Sequence, residues 1–244
     1  MRIGIAAPAL ILALSMISTQ VLANAESQAV SEAPKIDRAA LVAKYPDIGA
    51  GSQKPENMKI LCPFHRLLER AGLYDSSKSA GDQGGLTVGI FKIASIAKEF
   101  GCKAIGCGGV AAIVSAGQAV KLAAFPGLVD LEALHKATGV AHECGLTFAK
   151  GGVEVSEEVR ASTLAALQKR ADSDGRLRLA DIEAVKEDIC KAQGVENVKA
   201  GRVEVQLIYT FLGGVERGFV DYEDVNRLFH SELPNVLGSP TSVK

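Results

Sequence analysis

The sequence predicts an all-α domain, and three observations carry that prediction. About seven to nine segments place apolar residues at helical three-to-four spacing. Residues that start and stop helices flank those segments: Pro63, Asp130, Ser156 and Asp221 before them, and Gly72, Gly101, Gly139 and Gly194 after them. No alternating strand pattern and no Asn-Gly hairpin turn occurs. The chain has 244 residues, a net charge of −1 and 48% hydrophobic residues, which excludes a disordered chain and a basic nucleic-acid surface. It has no Trp, so Ala, Leu, Ile and Val must build the core.

Met1–Ala25 reads as a secretory signal: Arg2 as the charged start, Ile3–Ile17 as the apolar run, and Ala23-Asn24-Ala25 as the cleavage site. This predicts a secreted or periplasmic protein with no membrane attachment after cleavage. Residues 26–57 read as a polar segment and loop, with a short helix near Asp37–Tyr45. The helical domain is expected over 58–234, and 235–244 as a coil tail.

Within the domain, Pro63 suits the first position of a helix that closes at Gly72, with Phe64, Leu67 and Leu68 inward and Arg66, Glu69 and Arg70 on the polar side. Leu86–Phe100 is the next helix, with Ile90, Ile93, Ile96, Ala97 and Phe100 on one face. Gly109–Ala124 is apolar nearly all round and is expected at the centre. Asp130 caps a helix with Leu131 and Leu134 inward. Ser156 caps another, running to about Ala171. Asp172-Ser173-Asp174-Gly175 is a tight turn; it lacks the first ligand and the closing Glu of a calcium loop. Helices at Leu179–Ala192, Gly201–Leu212 and Tyr222–Ser231 complete the domain.

Cys62 precedes Pro63 and is thereby placed at a helix N-cap. Free backbone N–H groups and the positive end of the helix dipole face a side chain there, and both favour thiolate over thiol. Such a sulfur can ligate a metal or act as a nucleophile; the alternative is a small buried cysteine. The five cysteines are Cys62, Cys102, Cys107, Cys144 and Cys190, and the odd count leaves one over. Export permits disulfides. A zinc site from Cys102, Cys107, His142 and Cys144 is a further alternative, although its spacing matches no standard module.

Two other places could carry chemistry. His142-Glu143-Cys144 lies in a glycine-flanked stretch between helices, which suits a site loop. Glu204 lies among apolar residues in Gly201–Gly213, where a carboxylate either points to solvent or is partly buried.

Cys62-Pro63 followed by Leu67, Leu68 and Gly72 resembles the opening motif of the heme-thiolate haloperoxidases, the family of chloroperoxidase and the unspecific peroxygenases. The family motif is Pro-Cys-Pro, and here Leu61 replaces its first proline. His142-Glu143 with Leu146-Thr147 resembles the family's Glu-His-Asp loop, with Ala141 in place of the Glu. Asp174–Ile182 resembles an Asp-Gly entry into a late helix, and Val225–Pro234 resembles the closing helix and its Glu-Arg-Leu-Pro, without the Arg. The resemblance spans about Leu61–Pro234 and implies a helical domain around a heme pocket. It implies heme b, with Cys62 as the iron ligand and Pro63 and Glu143 at the cofactor. It implies Glu204 as the peroxide acid–base, with His142 as its partner, and hydrogen peroxide plus a halide or small organic molecule as reactants. The family's loop Glu helps hold a divalent cation beside a heme propionate, and Ala141 removes that ligand. The rival reading is a non-catalytic exported helical protein stabilised by disulfides, without heme.

Overall fold

The computed structural model describes residues 36–74, 86–102, 111–119, 127–137, 141, 143–195 and 201–237. The expected secretory signal, His142 and Cys107 lie outside the described residues. Helix α1 (Arg38–Lys44) is followed by a 3-10 turn at Pro46–Ile48. Then come α2 (Pro63–Arg70), strand β1 (Thr87–Gly89) and α3 (Ile90–Glu99). Residues 111–119 form α4. Strand β2 (Leu128–Asp130) runs into a 3-10 segment, Leu131–Lys136. The C-terminal half comprises α5 (Glu157–Arg170), β3 (Arg176–Leu177), α6 (Leu179–Ala192) and α7 (Arg202–Phe211), then α8 (Gly214–Arg217), β4 (Val220–Asp221) and α9 (Tyr222–Phe229). No helix among the described residues is long and apolar enough to cross a membrane.

The fold is mainly α, and it corrects the expectation of helices alone. Two antiparallel ribbons are present. One pairs Thr87 with Asp130 and Gly89 with Leu128; the other pairs Arg176 with Asp221 and Leu177 with Val220. Strands of two or three residues are too short to write an alternating pattern into the sequence. The first ribbon takes the residues expected to open the Leu86–Phe100 helix, so α3 starts at Ile90. The central-helix expectation also fails in part: α4 buries Ala111, Val114, Ser115 and Gln118, but Ile113 is 45% exposed.

Several caps form as expected. Asp130 accepts from the Glu132 N–H and Ser156 from the Val159 N–H, each satisfying one orphan donor. Gly72 and Gly194 take positive φ just beyond α2 and α6. Asp172 closes the turn before β3 by accepting from the N–H groups of Asp174 and Arg176, which uses an oxygen the calcium alternative would need. Asp221 stands at the N-cap of α9 but makes no capping bond; its carboxylate accepts from Arg217 instead.

The core gathers Leu67 and Leu68 of α2, Ile93 of α3, Leu167 of α5, Ile182 and Val185 of α6, Val205 of α7, and Leu228 and Phe229 of α9. Helix α9 packs on both α2 and α5, and α6 lies between α5 and α7. Two residues read as the polar side of α2 are in fact buried. Arg66 donates to the carbonyls of Ile60 and Phe229, and Arg70 to those of Ser52 and His230. Arg66 and Arg160 share the carboxylate of Glu56, which Ser231 also donates to. Burial pushes the Glu56 carboxyl up, but the two guanidinium charges outweigh it and hold it below its ordinary value. The expected tail is partly packed: Asn235 and Val236 donate their N–H groups to Asp224, and Leu237 is buried.

Candidate functional site

Cys62 is the N-cap of α2 and is a free cysteine. Its backbone is extended, and Pro63 holds the first helical position behind it. Arg66 fixes this entry, because its guanidinium binds the Ile60 carbonyl just ahead of Cys62. The sulfur makes no full capping hydrogen bond. Burial pushes its thiol up, against the N–H groups of His65 and Phe64 and the Arg66 charge, which pull it down. The net shift is upward, which corrects the expectation of a favoured thiolate. The helix terminus acts as foreseen, but desolvation of the sulfur outweighs it.

One turn into α2, His65 Nδ1 lies 2.9 Å from the hydroxyl of Tyr74. Tyr74 is buried, and burial, with the Cys62 charge, pushes its phenol up. Burial pushes His65 down to about 4, so its imidazole is neutral near pH 7. Phe64, on the same turn, packs against Phe211 at the end of α7, with ring centroids 4.2 Å apart. The first turn of α2 behind the half-buried Cys62 is thus aromatic and holds one neutral imidazole–phenol pair.

Glu204 projects from the first turn of α7 and its side chain is 12% exposed. It forms an ion pair with Lys186, which comes from α6 and is itself buried. The same ammonium donates to the carbonyl of Cys144 at 3.3 Å. Gly201, ahead of α7, admits the lysine stem: a Cβ there would collide with Lys186 Cε. Glu204 is also close enough to Cys62 for its charge to raise the thiol. Cys62 and Glu204 thus feel one another's charge, although they lie far apart in sequence.

The loop after residue 142 is fixed to the end of α6. A disulfide joins Cys144 to Cys190, and Lys150 donates to the Gly194 carbonyl at 3.0 Å. Cys102 is also disulfide-bonded. Both findings remove the zinc alternative, since two of its proposed thiolates are spent in covalent bonds. No group of three His, Cys, Asp or Glu side chains suited to a metal ion occurs among the described residues. Glu143 is exposed on this loop, and its carbonyl accepts from the Gly151 N–H. Ala141 is half-buried.

Sequence reading missed His65, Tyr74 and Lys186. His65 carried one usable signal, its place three residues after a candidate ligand. Lys186 carried none, since a lysine on an amphipathic helix normally faces water. Comparison with known proteins returns no matching family, no matching curated protein and no matching solved structure.

Proposed function

We propose that this chain is an exported heme-thiolate peroxidase-like protein that uses hydrogen peroxide to oxidise a halide or a small organic molecule. The observation that carries the reading is the state of Cys62. Among the described cysteines it alone is free, and it sits where the N–H groups of Phe64 and His65 turn toward its sulfur. On this side the chain offers heme b one soft sulfur with a rigid helix N-terminus behind it. Coordination to iron would also offset the desolvation that favours the thiol, because a coordinating thiolate gives up its proton.

Heme b, when bound, supplies the oxidising chemistry, and the chain supplies ligand, orientation and proton handling. Cys62 Sγ would hold the group. Pro63 keeps the sulfur at the helix mouth, and Arg66 fixes the peptide ahead of it. Glu204 would accept a proton from hydrogen peroxide at a carboxylate oxygen and return it to the leaving oxygen. The Lys186 ammonium favours the ionised carboxylate, the form that accepts a proton. The resemblance assigns Glu143 to the cofactor and His142 to Glu204 as its partner.

A second reading has its own support. The upward shift of the Cys62 thiol and the ion pair already held by Glu204 suit a non-catalytic helical protein stabilised by disulfides. Titration of heme b into the purified protein, followed by visible absorbance, separates the two. A saturable Soret band with peroxide-dependent oxidation of halide or a phenol supports the first; no Soret change supports the second.

A further inference from the structure

The Lys186 side chain is 4% exposed. Helix α6 would bury an apolar residue at that place as readily, beside Ile182 and Val185. A charge there calls for partners, and among the described residues Lys186 has two: the Glu204 carboxylate and the Cys144 carbonyl. Each partner is itself held. Cys144 is tied to α6 by its bond to Cys190, one helical turn beyond Lys186. Glu204 sits in the first turn of α7, and Gly201, just ahead of it, leaves the room in which the lysine stem lies.

We propose that Lys186 is the positioning residue for Glu204, setting the orientation and charge of its carboxylate, with Gly201 and the disulfide-anchored Cys144 carbonyl fixing the lysine. The task this serves rests on the peroxidase reading above; the arrangement itself does not. The ammonium approaches one carboxylate oxygen, Oε2, and so restricts how the carboxylate can turn. It also favours the ionised form, because an opposite charge in contact stabilises it.

The test follows the Glu204 carboxyl carbon by NMR across pH in heme-free wild type and Lys186→Met, then measures the stopped-flow peroxide reaction of the heme-loaded proteins. The expected result is at least about a tenfold rise in the proton affinity of Glu204 in Lys186→Met. The acid limb of the peroxide rate should move in the same direction, with the Soret band retained. A Glu204 titration identical in the two proteins overturns the proposal. So does a shifted titration with an unchanged rate profile, which would make the pair purely structural. If wild type takes up no heme, the peroxidase reading falls, while the titration still decides whether Lys186 governs Glu204. If Lys186→Met does not fold, wild type carries the test: the Lys186 Nζ signal should move at the acid midpoint where the Glu204 carboxyl carbon takes up its proton, and an Nζ signal that does not respond there overturns the proposal.

Discussion

Arg66 of α2 donates through Nη2 to the carbonyl of Phe229, the last residue of α9, at 2.9 Å. The bond crosses 163 positions of sequence and joins the helix that presents Cys62 to the closing helix of the domain. Arg66 also meets Glu56 at 3.0 Å, and its side chain is wholly buried. The helix that carries Cys62 is therefore anchored by a buried polar network.

Removing this guanidinium leaves Glu56 with Arg160 as its one remaining buried cation among the described residues and strands the Ile60 carbonyl, while Arg160 still donates to the carbonyl of Phe229. Breaking a buried pair from one side costs about 3–5 kcal/mol. Arg66→Met should lower unfolding stability by that order in urea titrations. A loss below about 1 kcal/mol would show that the network is not what holds α9 to α2.

Much of the local structure was legible in the sequence. Ser156 and Asp130 cap as expected, Gly72 and Gly194 end their helices, and Leu179–Ala192 has the boundaries that its apolar spacing predicts. Each depends on neighbours within one or two turns. Arg66, Arg70 and Lys186 were not legible as buried residues, because a charge on a helix reads the same whether its partner is water or a distant carbonyl. The Cys144–Cys190 pairing spans 46 positions and depends on the packing of α6 against a loop. At the candidate site, the sequence singles out Cys62 and Glu204 as candidates, but not the residues that surround them.

The His65–Tyr74 pair predicts a pH dependence. Burial pushes His65 from 6.5 down to about 4. Between those values the unfolded chain binds the proton and the folded chain does not. Stability therefore falls as pH drops through this window and is fully present above it. The loss is roughly 3 kcal/mol for the whole shift. Urea unfolding at pH 7 and pH 4.5 should show a smaller difference in His65→Phe than in wild type. Equal differences would mean that His65 titrates normally in the fold.

The disulfide state predicts a mapping result. Without reductant, Cys62 should be the one residue alkylated among Cys62, Cys102, Cys144 and Cys190. Because burial raises its thiol, the reaction should be slower in native than in denatured protein at neutral pH. Mass mapping that finds Cys62 in a disulfide would remove it as a ligand. Cys190→Ser, which opens the bridge, should cost about 2–4 kcal/mol.

Glu204→Gln keeps the shape and removes the proton acceptor. In heme-loaded protein it should slow the reaction with peroxide by about 10²–10⁴-fold, and His142→Ala should slow it less. The variant also leaves the Lys186 ammonium buried without its counter-charge, so a stability loss of about 3–5 kcal/mol should accompany it. Stopped-flow rates at several pH values check the first effect and calorimetry the second. A wild-type peroxide rate would make Glu204 an ordinary helix residue.

The central claim is that the Cys62 sulfur is the iron ligand, and the most direct measurement is the absorption spectrum of reduced, carbon monoxide-treated protein with heme b, wild type against Cys62→Ala. Wild type should show the strongly red-shifted Soret band that the heme-thiolate resemblance implies, and Cys62→Ala should lose it. An unchanged red-shifted band in Cys62→Ala, or no heme uptake by wild type, would contradict the account.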